Sequence, residues 1–254
     1  MQQLLTQKLT QQPQIKMHKK QQTPKTVILD FIRHGEPEGG TMYRGSQDDP
    51  LSTMGWQQLQ SSTDQAIRQG SQWQKIITSP MLRCCEFAEK LSQHHNLPLS
   101  TAPNLRELCF GDLEGLTPER AWAQYPSLLA GMWENPNAHT PPNGEPFKEF
   151  CDRVEKSITD IIQQQLSEPP ISPHLLLVVH GGVIRAILHR LLNIPASATF
   201  QFDVPFAAIT RIVAYADAPF NINKNGTFTV SLKNLNGILP TNSVIEKSTS
   251  TPDS

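Results

Sequence analysis

Long apolar runs are missing from this chain: no stretch approaches the roughly 20 residues needed to cross a membrane, and Met1-Gln2-Gln3-Leu4-Leu5 lacks the apolar core of a signal peptide. Cysteine is scarce too. Cys84, Cys85, Cys109 and Cys151 form neither a CxxC pair nor the density of a disulfide scaffold. They read as small core residues in a reducing compartment, so a cytoplasmic protein is the expectation. No HExxH or clustered Cys/His spacing offers a zinc site. A strong excess of charge of either sign is also absent. The formal net charge of −1 argues against a general nucleic-acid binder or a membrane-surface protein. That balance is uneven, because residues 1–26 hold five lysines and no acid, which leaves the remainder near −6 by the same count.

What is present fits one soluble domain. A chain of 254 residues can bury one sizeable core and is short for two. Residues 1–25 are a Gln/Lys-rich tail with too little apolar surface to bury, and 241–254 are similarly featureless, so both are expected to be disordered. Between them, 26–240 form the expected domain. Helical and strand signals alternate within it. Trp56, Leu59, Ala66 and Ile67 predict a helix over about 53–69, and Lys75-Ile76-Ile77-Thr78 a strand. Ser79-Pro80 reads as an N-cap with proline at the first helical position, ahead of a helix carried by Cys84, Phe87, Ala88 and Leu91. Phe147, Phe150, Cys151, Val154, Ile158 and Ile161 mark a long amphipathic helix stopped by Pro169-Pro170. Val183, Ile187 and Leu191 predict a helix apolar on more than one side, and Thr210–Tyr215 and Thr227–Leu232 two closing strands. The alternation predicts a three-layer α/β/α sandwich with a mostly parallel central sheet.

Chemistry concentrates at two strand ends. The apolar run Val27–Ile32 leads into Arg33-His34-Gly35-Glu36, and Leu175–Val179 leads into His180-Gly181-Gly182. An α/β sheet presents ligands at the carboxyl ends of its strands. Two imidazoles are therefore expected to converge on one pocket, with glycine allowing close backbone approach. Arg83 is predicted in the first turn of a helix just past another strand end, and Glu107 in a loop punctuated by Gly111 and Gly115. Arg33 and Arg83 together suit an anionic ligand, since planar guanidinium groups match phosphate oxygens in pairs.

These segments, with Asp49-Pro50-Leu51-Ser52-Thr53-Met54-Gly55, Gln58, Ser79-Pro80, Leu105-Arg106-Glu107, Phe110-Gly111, Glu114-Gly115 and Gly144-Glu145, resemble the histidine phosphatase superfamily. That family includes cofactor-dependent phosphoglycerate mutases and many phosphomonoesterases. The resemblance runs from about Val27 to Tyr215 and implies a phosphoglycerate mutase-like fold. It implies that His34 is the nucleophile, that Arg33, Arg83 and His180 hold the phosphoryl oxygens, and that Glu107 is the proton donor. Gly181 would add backbone contacts to substrate. No cofactor and no metal are implied, the arginines supplying the charge that a loose phosphoryl-transfer transition state needs. The expected partner is a small-molecule phosphomonoester, and the expected assembly a monomer or homodimer.

The chain departs from the family pattern where Thr or Ser, and then Asn, are usual: Pro37 and Gly40 stand there. Arg44 or backbone amides are left to replace the missing phosphate contact. Glu36, Glu114 and Glu145 read as loop braces, Asp49 and Asp152 as structural, His94-His95 as a solvated helix end, and Cys84-Cys85 as core packing. Tyr43–Leu51, Gly55-Trp56 and Thr140–Pro146 resemble the α-ribazole phosphatase-type enzymes of cobalamin biosynthesis. Three readings follow: a phosphomonoesterase, favoured; a mutase-type phosphotransferase; and a non-catalytic phospho-ligand binder. Beyond Arg33, Arg44 and Arg83 no further basic cluster stands out, which counts against the mutase.

Overall fold

The computed structural model describes residues 25–169, 172–216 and 228–238. The sequence expectations for 1–24 and 241–254 therefore lie outside the described residues. Strand β1 (Thr26–Arg33) is followed by α1 (Thr53–Arg68), β2 (Lys75–Thr78), α2 (Leu82–His95) and a three-residue β3 (Leu99–Thr101). Two short helices, α3 (Pro118–Gln124) and α4 (Pro126–Glu134), precede the long α5 (Phe147–Ser167). The chain then forms β4 (His174–Val179), α6 (Gly181–Leu192), β5 (Ile209–Ala216) and β6 (Phe228–Ile238).

The six strands make one sheet in the order β3-β2-β4-β1-β5-β6. The pairings β3–β2, β2–β4 and β4–β1 are parallel, and β5 runs antiparallel to both β1 and β6. Strand alternation splits the apolar residues between two faces. Leu29, Phe31, Leu175, Leu177 and Val179 share a core with α5 and α6, whereas Ile32, Ile76, Leu176 and Val178 pack with α1 and α2. The sheet is thus covered on both sides, which is why β4 is buried at all six positions. In α5 the buried stripe ends on Ile162, with Ile161 only packed against it. A separate small core of Leu113, Ala121 and Leu129, joined by Tyr43 and Phe110, lies under α3 and α4.

Local signals explain most boundaries. The Ser52 side chain accepts a hydrogen bond from the Gly55 amide and caps α1. α2 corrects the sequence reading. It begins at Leu82, not at Pro80, with Met81 as the N-cap, while the Ser79 hydroxyl bonds His180 Nε2 and accepts from Met81 N at 3.4 Å. Its first amide, Leu82 N, instead donates to Asp48 Oδ1 at 2.7 Å.

One polar residue interrupts the apolar run of β1. Asp30 is fully buried and accepts from Arg211 Nε (2.6 Å) and Nη2 (2.8 Å), His174 Nε2 (2.7 Å) and Trp73 Nε1 (2.9 Å). The cluster ties β1, β4 and β5 to the chain entering β2. Burial pulls the carboxyl up, but the bonds from Arg211, His174 and Trp73 outweigh it and hold Asp30 below its ordinary value of 3.8. A depressed carboxyl contributes stability above its unfolded-state pKa and loses it as pH falls through the lower, folded one. Asp30→Asn should therefore cost about 3 kcal/mol at neutral pH, by leaving Arg211 without its counter-charge. The gap from wild type should shrink as the pH falls below 3.8. Urea unfolding at pH 7 and at pH 3 measures it; a pH-independent gap would remove Asp30 charge as the cause.

Candidate active site

Strand register builds the centre of the site. Arg33 pairs with Val179 across β1–β4, and Thr78 with Val178 across β2–β4. The residues that follow, His34, His180 and Ser79, must then emerge side by side. The two imidazole rings lie 5.2 Å apart between centroids, edge to face. His34 is held by its backbone amide on Val179 O (2.9 Å) and by its Nδ1 on Gly35 O (2.7 Å). A carbonyl can only accept, so Nδ1 carries the proton and Nε2 the lone pair. Gly35 is required here by contact: a Cβ on it would lie 2.1 Å from Gly55 O.

Both histidines are neutral. Burial, then Arg33 and Arg83, push His34 well below its ordinary 6.5, against the bond to Gly35. Burial, Arg83 and His34 do the same to His180, whose Nε2 shares a 2.7 Å hydrogen bond with Ser79 Oγ. Arg33 donates to Val204 O at 2.5 Å and stacks 4.1 Å from the Phe206 ring centroid. Burial lowers its guanidinium to about 10, with Glu107 pulling the other way, so it stays cationic at neutral pH. Arg83 is fully buried at the start of α2 and is aimed by two carbonyls, Gln47 O (2.6 Å) and Gly45 O (3.0 Å).

Glu107 reaches the same place from a loop. Its Oε1 accepts from Leu108 N (3.0 Å) and its Oε2 from Gly182 N (3.1 Å), at the amino end of α6. A Cβ on residue 182 would stand 2.2 Å from Glu107 Oε1, so any larger residue here would move the Glu107 carboxyl from its place. The Glu107 loop is buttressed by Arg153, which donates to Asn104 O, Arg106 O and Glu107 O and pairs with Glu145 at 2.6 Å. Glu114 accepts from Ser46 N, Ser46 Oγ and Phe110 N, bracing the loop whose carbonyls aim Arg83. Both glutamates thus brace loops, as their sequence context suggested.

Arg33, His34, Arg44, Arg83, Glu107 and Gly181 all line one cavity of about 260 Å³. Arg44 is anchored, its Nε on Asp49 (3.0 Å) and its Nη2 on Glu38 O. No group of three or more His, Cys, Asp or Glu side chains able to hold a metal ion occurs among the described residues. Several lining residues escaped the sequence reading, among them Phe206 and Arg185. Phe206 comes from a loop without a motif, but Arg185 lies four residues past Gly181 and hence on the same face of α6. That spacing was the available signal. The Nε atoms of Arg33, Arg83 and Arg185 are buried without a hydrogen-bond partner, all three on this one cavity. Orphaned guanidinium nitrogens around neutral histidines make a pocket for an anion.

Residues 29–225 match the model of the histidine phosphatase superfamily, branch 1. The chain belongs to that superfamily. Among curated histidine phosphatase relatives, an adenosylcobalamin/α-ribazole phosphatase of Escherichia coli is 31% identical over 179 residues, 69% of this chain and 84% of the relative. A probable phosphoglycerate mutase of Proteus mirabilis is 31% identical over 201 residues, covering 76% and 87%. A solved structure described as mycobacterial hydrolase 2 superposes with a TM-score of 0.73 at 24% identity, over 86% of this chain and 94% of that one, and shares the fold. No helix among the described residues is long and apolar enough to cross a membrane.

Proposed function

We propose that this histidine phosphatase is a phosphomonoesterase that works through a phosphohistidine on His34. The observation that carries the reading is the bond from His34 Nδ1 to Gly35 O, which leaves the Nε2 lone pair on a neutral ring among cationic guanidinium groups. Nε2 attacks phosphorus, the ester P–O bond breaks, and its electron pair leaves on the alcohol oxygen, which takes a proton from Glu107. Glu107, now a carboxylate, takes a proton from water as the water oxygen attacks phosphorus. The P–N bond then breaks, its electrons return to Nε2, and phosphate departs. Arg33 and Arg83 spread the charge on the equatorial oxygens, the task that other phosphoryl-transfer enzymes give to Mg²⁺. His180 is buried behind His34 with its Nε2 on Ser79 and is not part of the cavity lining, so its part is to back His34, and the amino end of α6 at Gly181 favours a dianion.

The substrate we favour is α-ribazole 5′-phosphate, a reading supported by the E. coli relative and by the aromatic residues around the cavity. A phosphate-release screen that includes this compound, 3-phosphoglycerate and generic monoesters tests it, with and without EDTA. The expected result is turnover indifferent to EDTA and the highest kcat/KM for α-ribazole 5′-phosphate. Equal kcat/KM for generic esters would end the substrate assignment and leave the phosphatase standing. Isomerisation of 3-phosphoglycerate without phosphate release would move the chain to the mutases.

A further inference from the structure

We propose that Phe206 is a positioning residue of the active centre: its ring sets the plane of the Arg33 guanidinium and keeps water from one side of the His34 imidazole. This rests on the phosphatase reading, since Phe206 acts through those two groups and not on the substrate.

Phe206 is a large apolar side chain that serves no core. It is only partly buried and belongs to none of the three hydrophobic clusters among the described residues. Its ring lies instead on the cavity wall, with the Arg33 guanidinium carbon 4.1 Å from its centroid and the His34 ring 5.6 Å away. A guanidinium laid on an aromatic face is held in that plane, and its in-plane donors keep their direction. One nitrogen of Arg33, Nη1, is already committed to Val204 O at 2.5 Å. Its Nε has no partner and lies 3.4 Å from where a Cβ on Gly181 would stand, at the amino end of α6. The stack and the Val204 bond together aim the free edge of Arg33 at the place a phosphoryl group would occupy.

The backbone enforces this placement. Ala207 has a φ of +56°, a left-handed conformation that a residue with a Cβ keeps only where its surroundings hold it. It is fully buried, and its amide is shared between Arg33 O (3.1 Å) and His34 O (3.2 Å). The same strap gives Phe202 O to Arg185 Nη2 at 3.0 Å, and its Asp203 O accepts from Asn236 Nδ2 at 2.7 Å. One short segment thus fixes the backbone of the nucleophile, two cavity arginines and the ring that lies on Arg33 and beside His34. The groups facing His34 are Arg33 beside it, Arg83 from α2, Arg44 from the loop after β1, His180 from the end of β4 and Glu107 from its loop. Removing the Phe206 ring would let water screen those arginines and solvate a protonated imidazole, so His34 would gain a proton more readily.

The test uses the whole chain as wild type, Phe206→Leu, which keeps apolar bulk without a flat face, and Phe206→Tyr, which restores the face. Phe206→Leu should lower kcat by about 10²-fold with a much smaller change in KM, as when a charged group is misplaced and not removed. Orthovanadate, whose five-coordinate form copies a transferring phosphoryl group, should lose more affinity than inorganic phosphate. In a histidine-labelled protein the His34 signal, assigned by its loss in His34→Asn, should titrate well below 6.5 in wild type and move up towards 6.5 in Phe206→Leu. Phe206→Tyr should recover most of each effect. Titration and orthovanadate binding need no turnover, so they decide the role of Phe206 even if no ester is hydrolysed. A kcat near wild type in Phe206→Leu would overturn the proposal. So would a loss that Phe206→Tyr does not recover, or one that follows a fall in melting temperature while the His34 titration stays in place.

Discussion

Replacing His34 with alanine should lower turnover by about 10⁴-fold or more, since His34 is the imidazole set beside Arg33 and Arg83. Rapid quenching with a substrate labelled in its phosphoryl group should trap an acid-labile, alkali-stable adduct on wild type and none on the variant. Label that survives His34→Ala would assign the nucleophile elsewhere. The pH profile carries a second expectation. Burial, with Arg33 and Arg83, holds His34 well below 6.5, so the ring stays neutral and nucleophilic through the range where an ordinary histidine gains its proton. The acid limb of kcat/KM due to this group should therefore lie below 6.5, not at it.

Glu107→Gln should separate substrates by the quality of their leaving groups. A sugar alkoxide needs a proton to depart and a p-nitrophenolate does not, so the loss should be about 10²–10⁴-fold on an alkyl phosphate and far smaller on p-nitrophenyl phosphate. Gly182→Ala should reproduce the pattern without touching the acid, because its methyl group would stand 2.2 Å from Glu107 Oε1 and push the carboxyl aside. Thermal melting of both variants separates a displaced carboxyl from a damaged fold. Equal losses on the two esters would make Glu107 a structural residue.

The chain announces its sheet more clearly than its connections. The short apolar runs at 27–32 and 175–179, each ending at a His-Gly turn signal, read as buried strands, and they became β1 and β4, adjacent and parallel. From that pairing the meeting of His34 and His180 followed. β3 was not legible, because three residues carry too little pattern to register. The Ser79-Pro80 signal placed the helix start two residues early: the Ser79 hydroxyl serves both His180 and the Met81 amide, and the first helical residue is Leu82. Asp30 was hidden inside an apolar run, since its partners Trp73, His174 and Arg211 are far away in sequence. Arg185 drew no reading from the sequence, although its spacing from Gly181 set it on the same face of α6.

The small core beneath α3 and α4 has a consequence for how this enzyme can change over generations. The groups proposed to move the phosphoryl group hang from strand ends and from the loops braced by Arg153 and Glu114. Tyr43 and Met132, which line another part of the cavity, pack instead on a cluster whose fully packed members among the described residues are Leu113, Ala121 and Leu129. So thin a foundation tolerates drift that the two main cores would punish. Inheritance can therefore rewrite which alcohol is recognised while the apparatus that cleaves it passes on intact, and a lineage can acquire new metabolites faster than it acquires new chemistry.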